Sequence, residues 1–259
     1  MVNAGEIRDY LLSLAPMKLK MDFDNVGLLV GSPDTAVSRA LVSLDITSEV
    51  IDEAAALGAQ LIVSHHPVIW DAMKSVTGET VQTAKVTKLI KNGIAAICMH
   101  TNLDIADGGV NDVLMKTLSG KVTSILEPTG DGAGCGRVGE LSREIPLVDF
   151  LRLCKDALGC SGLRYYDAGI PVRKLAVMGG AGGDCVSLAK GLGCDTYVTA
   201  DIKYDQFLEA REIGLNLIDA DHFCTENVII PRLLYWVSEK FPEVQTSISA
   251  SHGQTTKFF

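Results

Sequence analysis

Short apolar runs alternate with amphipathic stretches along almost the whole chain, and this alternation is the strongest constraint on its fold. Residues 38–44 (SRALVSL), 60–64 (QLIVS), 94–99 (IAAICM), 173–178 (RKLAVM), 195–199 (DTYVT) and 215–220 (LNLIDA) are short, apolar or β-branched, and bounded by polar residues or glycine. They read as strands. Helical patterns fill 47–57, 79–92, 108–118, 146–158, 184–192, 203–213 and 225–240. Thr47 is placed to start a helix, Pro146 to occupy a first helical position, and Gly159 to end that helix. Strand–helix alternation at this spacing predicts an α/β architecture with mixed, largely parallel sheets flanked by helices. The 259 residues suit one large domain or two compact ones. The stretch EPTGDGAGCGRVG at 127–139 holds five glycines and a proline and reads as a linker between two α/β domains.

Composition narrows the function classes. Lys and Arg number 23 against 32 Asp and Glu, a net charge of -9, with no basic cluster to serve as a footprint for nucleic acid. The seven cysteines form no CxxC pair, which excludes a zinc ribbon and points to reduced thiols packed as small hydrophobes. Mean hydropathy is +0.22, and no uncharged apolar run reaches the ~20 residues of a membrane helix. MVNAGEIRDYLLSL lacks the apolar stretch of a signal peptide, so the expectation is a soluble, cytoplasmic protein with no membrane partner.

Four of the five histidines carry the chemistry. QLIVSHHPVIW puts His65 and His66 just past an apolar run, AAICMHTNLD puts His100 and Asp104 past another, and NLIDADHFCTEN puts Asp219, Asp221, His222 and Glu226 past a third. In open α/β sheets, ligands bind beyond the carboxyl ends of the strands. Imidazoles and carboxylates are a ligand set for Zn, Fe, Mn or Ni ions. His65 and His66 can each serve a different ion at a strand end, and a shared carboxylate suits two ions better than one. Taken singly, a His–His pair is also compatible with an ordinary loop, and H-x3-E with a surface helix contact.

FDNVGLLVG (23–31), SHHPVIW (64–70), HTNLD followed by GGVND (100–112), GGAGG (179–183), TADIKYDQFLEA (199–210) and DHFCTE (221–226) together resemble the NGG1-interacting-factor-3-like proteins, also called GTP cyclohydrolase 1 type 2 homologs. The resemblance implies a dinuclear divalent-metal site with His65, His66, Asp104, His222 and Glu226 as ligands. It implies a metal-binding domain built from 1–126 plus 217–259 and a second domain at 127–216. It also implies a ring-shaped homohexamer, in the short form without the inserted domain that some members carry. The activity it suggests is hydrolysis of a nucleotide, GTP by the family's name, through a metal-activated water. The alternative is a non-catalytic hexamer that carries, senses or scaffolds metal.

Other residues have two readings each. Asp24-Asn25 either line the pocket or form a plain turn. His100 is a hydrogen-bonded structural group or a group acting beside the metals. MGGAGGD at 178–184 is a tight strand-to-helix turn first and an anion cradle second. Asp221 orients His222 or starts a helix. Cys224 is a possible thiolate ligand that the family set does not require, and His252 is expected in a terminal loop or interface. Ala200 stands where the family often has Gly, and Tyr204-Asp205 where an aromatic–His pair is frequent, which removes a histidine from this region.

Overall fold

In this computed structural model the chain is described over residues 1–130 and 132–259, so Asp131 of the glycine-rich stretch lies outside the described residues. The chain runs α1 (Ala4–Leu14), β1 (Gly27–Val30), β2 (Arg39–Ser43), α2 (Ser48–Ala56), β3 (Leu61–Ser64), α3 (Val81–Lys91), β4 (Ala95–Cys98) and α4 (Thr101–Ile105). It continues with α5 (Val110–Thr117), β5 (Lys121–Gly130), β6 (Ala133–Ile145), α6 (Leu147–Leu158), β7 (Arg164–Tyr166), β8 (Val172–Ala181), α7 (Val186–Gly191), β9 (Thr196–Ala200), α8 (Tyr204–Ile213) and β10 (Asn216–Asp219). It closes with α9 (His222–Asn227), α10 (Ile230–Lys240) and β11 (Gln245–Ile248). Two compact units result. Unit 1 is Met1–Leu103 with Ile230–Gly253; unit 2 is Asp104–Ile229 with Gln254–Phe259. Among the described residues, no helix is long and apolar enough to cross a membrane.

Unit 1 holds a five-stranded sheet in the order β1-β4-β3-β2-β11, parallel except for the antiparallel β1–β4 pair. β3 and β4 are buried at every residue, as expected of parallel strands covered on both faces. Leu41, Ile62 and Ala96 lie side by side on one face and pack with Val50, Ile51 and Ala54 of α2 and Val86 and Leu89 of α3. α1 and α10 pack on each other and on the sheet. The helix starts follow local chemistry. Asn3 and Glu6 form a reciprocal cap on α1, and the Thr47 hydroxyl accepts from the Val50 N–H at 3.2 Å.

Unit 2 holds a six-stranded mixed sheet, β5-β6-β8-β9-β10-β7, in which β8, β9 and β10 are parallel and the other pairs antiparallel. α5, α6 and α9 pack against one face with Leu175, Val177, Val198 and Ile218 beneath them. α6 follows Pro146 and ends at Gly159 in the left-handed region (φ 67°).

The glycine-rich stretch is not a linker. It forms part of the long β5–β6 antiparallel pair, and a boundary at 126/127 would fall inside β5. Glycine is needed there for close approach: at Gly134 a Cβ would collide with the Glu127 carbonyl across the ladder. The expected single helix at 225–240 is two, α9 and α10, interrupted at Val228–Ile229. Pro231 gives the reason, since a continuous helix would drive its ring into the Asn227 carbonyl.

Arg137 of β6 is buried and holds the segment after α4. Its guanidinium donates to Asp112 Oδ1 at 2.6 Å and to the carbonyls of Gly134, Ile105 and Ala106. Removing the guanidinium takes the charged donor from those carbonyls and from the Asp112 carboxylate, which keeps, among the described residues, only the Gly108 N–H. Arg137→Ala is expected to lower stability by about 3–5 kcal/mol, and Arg137→Lys to recover little of it, because one ammonium cannot span the same acceptors. Urea titration of the three proteins measures this.

Candidate metal centre

In unit 1 the parallel register builds one edge. β2, β3 and β4 are neighbours, and Asp45, His65, His66 and His100 each lie within two residues of a strand's last residue. Pairing runs two residues beyond β3: the His65 N–H donates to Ser43 O (3.4 Å) and the His66 N–H to Leu44 O (2.9 Å). Pro67, without an N–H, ends it. The three imidazoles therefore cluster, with ring centroids 5.0–5.5 Å apart and ligand atoms all within 4.8 Å of one another.

Each ring is oriented through Nδ1. His65 Nδ1 faces the Met99 carbonyl at 2.8 Å, His66 Nδ1 faces Asp45 Oδ1 at 2.8 Å, and His100 Nδ1 faces Asp24 Oδ1 at 2.8 Å. These oxygens only accept, so the proton sits on Nδ1 and, in the neutral ring, the lone pair sits on Nε2. Protein metal sites fix their histidines in this way.

Unit 2 repeats the device. β9 and β10 are parallel neighbours, which brings Asp201, just past β9, to His222 at the start of α9. Asp201 Oδ2 lies 2.7 Å from His222 Nδ1. On α9 the i, i+4 spacing places Glu226 Oε2 3.1 Å from His222 Nε2, with Glu226 buried and His222 partly exposed. Asp104, in α4, offers a carboxylate oxygen within 4.8 Å of a Glu226 oxygen, and its carbonyl accepts from Asn111 Nδ2 at 2.9 Å. The MGGA strand end borders this cluster. Gly180 (φ 66°) faces the pair so closely that a Cβ would collide with Glu226 Oε1 and sit 3.1 Å from His222 Nε2. Glycine is the residue that leaves room there.

Of the five residues expected to bind metal, unit 1 brings His65 and His66 together, and unit 2 brings Asp104, His222 and Glu226 together. The aspartates that orient His66 and His222, Asp45 and Asp201, were not singled out from sequence. Each is local to its own strand and meets its histidine only through the neighbouring strand. Asp221 is the helix-starting residue, accepting from the Cys224 N–H at 3.3 Å. Cys224 points into the apolar core with Cys160, which hydrogen-bonds it and, with burial, pushes its thiol pKa up; it is a packed thiol. His252 lies beside β2, its Nδ1 accepting from the Leu44 N–H at 3.1 Å, and burial lowers its pKa.

The family described as Duf34/NIF3 (NGG1p interacting factor 3) matches residues 2–256. The chain belongs to the Duf34/NIF3 family. It is 38% identical over 245 residues to a Clostridium perfringens protein named GTP cyclohydrolase 1 type 2 homolog, covering 93% of this chain and 92% of that one. A Streptomyces coelicolor protein of the same name is 36% identical over 234 residues, covering 87% and 82%. Among solved NIF3 structures, a Bacillus cereus protein related to NIF3 superposes with a TM-score of 0.93 at 26% identity over 99% of both chains. Reduced HcgD from Methanocaldococcus jannaschii gives 0.82 at 28% identity, covering 96% of this chain and 98% of that one. The α/β fold of two mixed sheets with helices is thus the NIF3 fold, and this chain's His/carboxylate groups could hold metal ions.

Asp24, read from sequence as either pocket or turn, is the buried anchor of His100. Burial pushes its carboxyl pKa up, but hydrogen bonds from His100 and from the Thr101 hydroxyl and N–H outweigh this and hold it well below the usual carboxylate range. A lowered native pKa stabilises the fold above the unfolded value of about 3.9, and that contribution is lost as the pH falls below it. Asp24→Asn is expected to cost about 2–3 kcal/mol at pH 7, and the gap from the unaltered protein to narrow below about pH 4. Thermal unfolding of both proteins across pH 3–7 checks the sign, and a gap that widens in acid would contradict it.

Proposed function

We propose that this protein is a dinuclear divalent-metal hydrolase acting on a nucleotide, with His65, His66, Asp104, His222 and Glu226 as ligands. The observation that carries the reading is the shared orientation of His65, His66 and His222: Nδ1 is tied to oxygen in all three, which leaves Nε2 as the donor atom, and in His222 that Nε2 lies beside Glu226. Nε2 and carboxylate oxygens are the donors that Zn, Fe, Mn or Ni take. The names of the curated relatives support a nucleotide, GTP, as substrate.

Two divalent ions, when bound, supply Lewis acidity and lower the pKa of a water from ~15.7 toward ~7. The protein's own residues do the rest. Asp45 and Asp201 hold the proton on His66 and His222 Nδ1, which keeps Nε2 available as a donor and its ring in place. Glu226, beside His222 and near Asp104, would hold metal together with them. Gly180 keeps side-chain bulk away from these groups. The ring-shaped homohexamer belongs to the same reading and rests on the family likeness.

Metal content per chain, measured by mass spectrometry on protein purified without a metal-affinity tag, tests the centre. About two equivalents are expected, falling by at least half in His222→Ala. Metal below about half an equivalent, unchanged in the variant and not restored by Zn, Mn or Fe, would remove the reading. Two equivalents without turnover of GTP or phosphoesters would point to the non-catalytic metal assembly. Asp201→Ala is a finer probe: metal affinity is expected to fall about 10–100-fold, measured by chelator competition, with little change in melting temperature.

A further inference from the structure

We propose that the cavity beside His66 in unit 1 is a binding subsite for an aromatic ring system carrying an anionic group, with Trp70 as its stacking face and Lys85 as its cation. The inference deepens the hydrolase reading and rests on it for what reacts, while binding at the subsite itself requires no metal.

The cavity measures about 220 Å³ and is lined in part by Asp45, His66, Trp70, Val81, Gln82 and Lys85. It is smaller than the ~300–1,000 Å³ of pockets that enclose drug-sized ligands, so it suits one ring system and its substituent. Trp70 is 52% exposed, a large aromatic surface left open beside a candidate metal ligand. Its ring meets His100 edge-on (5.1 Å, 86°) and lies 6.3 Å from His66. An indole braced by a perpendicular imidazole and about half exposed offers a stacking platform.

The segment that carries the indole is held by an unusual number of side chains for a stretch without helix or strand. Asn25 Nδ2 donates to Ile69 O at 2.8 Å, the Trp70 N–H donates to Gln82 Oε1 at 2.9 Å, and Gln82 Nε2 donates to Asp71 O at 3.0 Å. Three consecutive residues are thus pinned from two directions. A platform ordered before the ligand arrives loses little entropy on binding.

Lys85 lies on α3, three residues after Gln82 and four after Val81, and so shares their face. Among the described residues its ammonium makes no hydrogen bond or ion pair, whereas Lys88 on the same helix sits 2.7 Å from Asp52. The acid in the lining, Asp45, is directed at His66. In a chain of net charge -9, a concave surface with a cation beside an indole selects for an anion that can also stack. A nucleobase with its phosphate and an aromatic carboxylate share this chemistry.

The chain has two tryptophans, and Trp236 is buried, so quenching by a stacked ring reports Trp70. Full-length protein, stripped with EDTA or loaded with metal, is titrated with AMP, GMP and UMP, with the matching nucleosides, and with nicotinate. Saturable quenching by the nucleotides is expected in both preparations, with nucleosides binding about tenfold weaker. Trp70→Phe is expected to lose the quenching and keep most of the calorimetric affinity, and Trp70→Ala to lose about tenfold or more. Lys85→Gln is expected to bring nucleotides down to the nucleoside level while nucleoside binding stays unchanged. Nucleotides acting alone assign the subsite to a base with its phosphate, and nicotinate acting alone to an aromatic carboxylate. No saturable quenching by either class, or nucleotide affinity unmoved in both Lys85→Gln and Trp70→Ala, overturns the proposal. Quenching without turnover or bound metal removes the hydrolase reading and leaves the subsite, whereas two bound ions without quenching do the reverse.

Discussion

Parallel pairing of β2, β3 and β4 in unit 1, and of β9 and β10 in unit 2, is the constraint on which the two clusters of histidines and carboxylates depend. Parallel neighbours end at the same edge of a sheet, so residues just past one strand meet residues just past the next. Asp45 reaches His66 for this reason, and Asp201 reaches His222. An antiparallel arrangement would send alternate strand ends to opposite edges and separate the same residues. The helices enter as what parallel strands require, since each crossover must return the chain to the starting edge.

Once the strand ends are together, hydrogen bonds decide which atoms can act. A buried imidazole with neither nitrogen committed can carry its proton on either side. Here carbonyl or carboxylate oxygens take the Nδ1 side at His65, His66, His100 and His222. The cost is buried or half-buried charge, and the structure offsets it with dense hydrogen bonding. Asp24 has His100 and Thr101, and Asp112 has Arg137. Removing one partner of such a group is expensive because the remaining charge has no solvent to turn to.

Much of this was legible in the sequence where the signal is local. The apolar runs at 60–64 and 94–99 became β3 and β4 because strands buried on both faces must be apolar throughout. Histidines and carboxylates stood out because they follow those runs directly. The illegible parts depend on distant residues. β5 and β6 mostly lack alternation, and β6 carries three glycines; they are strands because they pair with each other along their length, so closely at Gly134 that a side chain would not fit. The orienting aspartates carry no signal of their own, since an Asp after a strand is also an ordinary turn former. α1, capped by Asn3 and Glu6, and the break at Pro231 between α9 and α10 were missed in the sequence although both signals are local.

The order of assembly follows from how unit 1 is closed. Its edge strand β11 pairs with β2 in parallel, Gln245 opposite Arg39 and Ile248 opposite Val42, although more than two hundred residues lie between them. During synthesis the first four strands of that sheet emerge long before α10 and β11, and all the strands of unit 2 are made in between. Until then β2 presents an open row of backbone donors and acceptors, beside an apolar face that α10 has yet to cover. The nascent chain therefore passes through a stage in which every strand of the second unit has been made while the first sheet still lacks its edge strand, and that stage is where a chaperone would have most to protect.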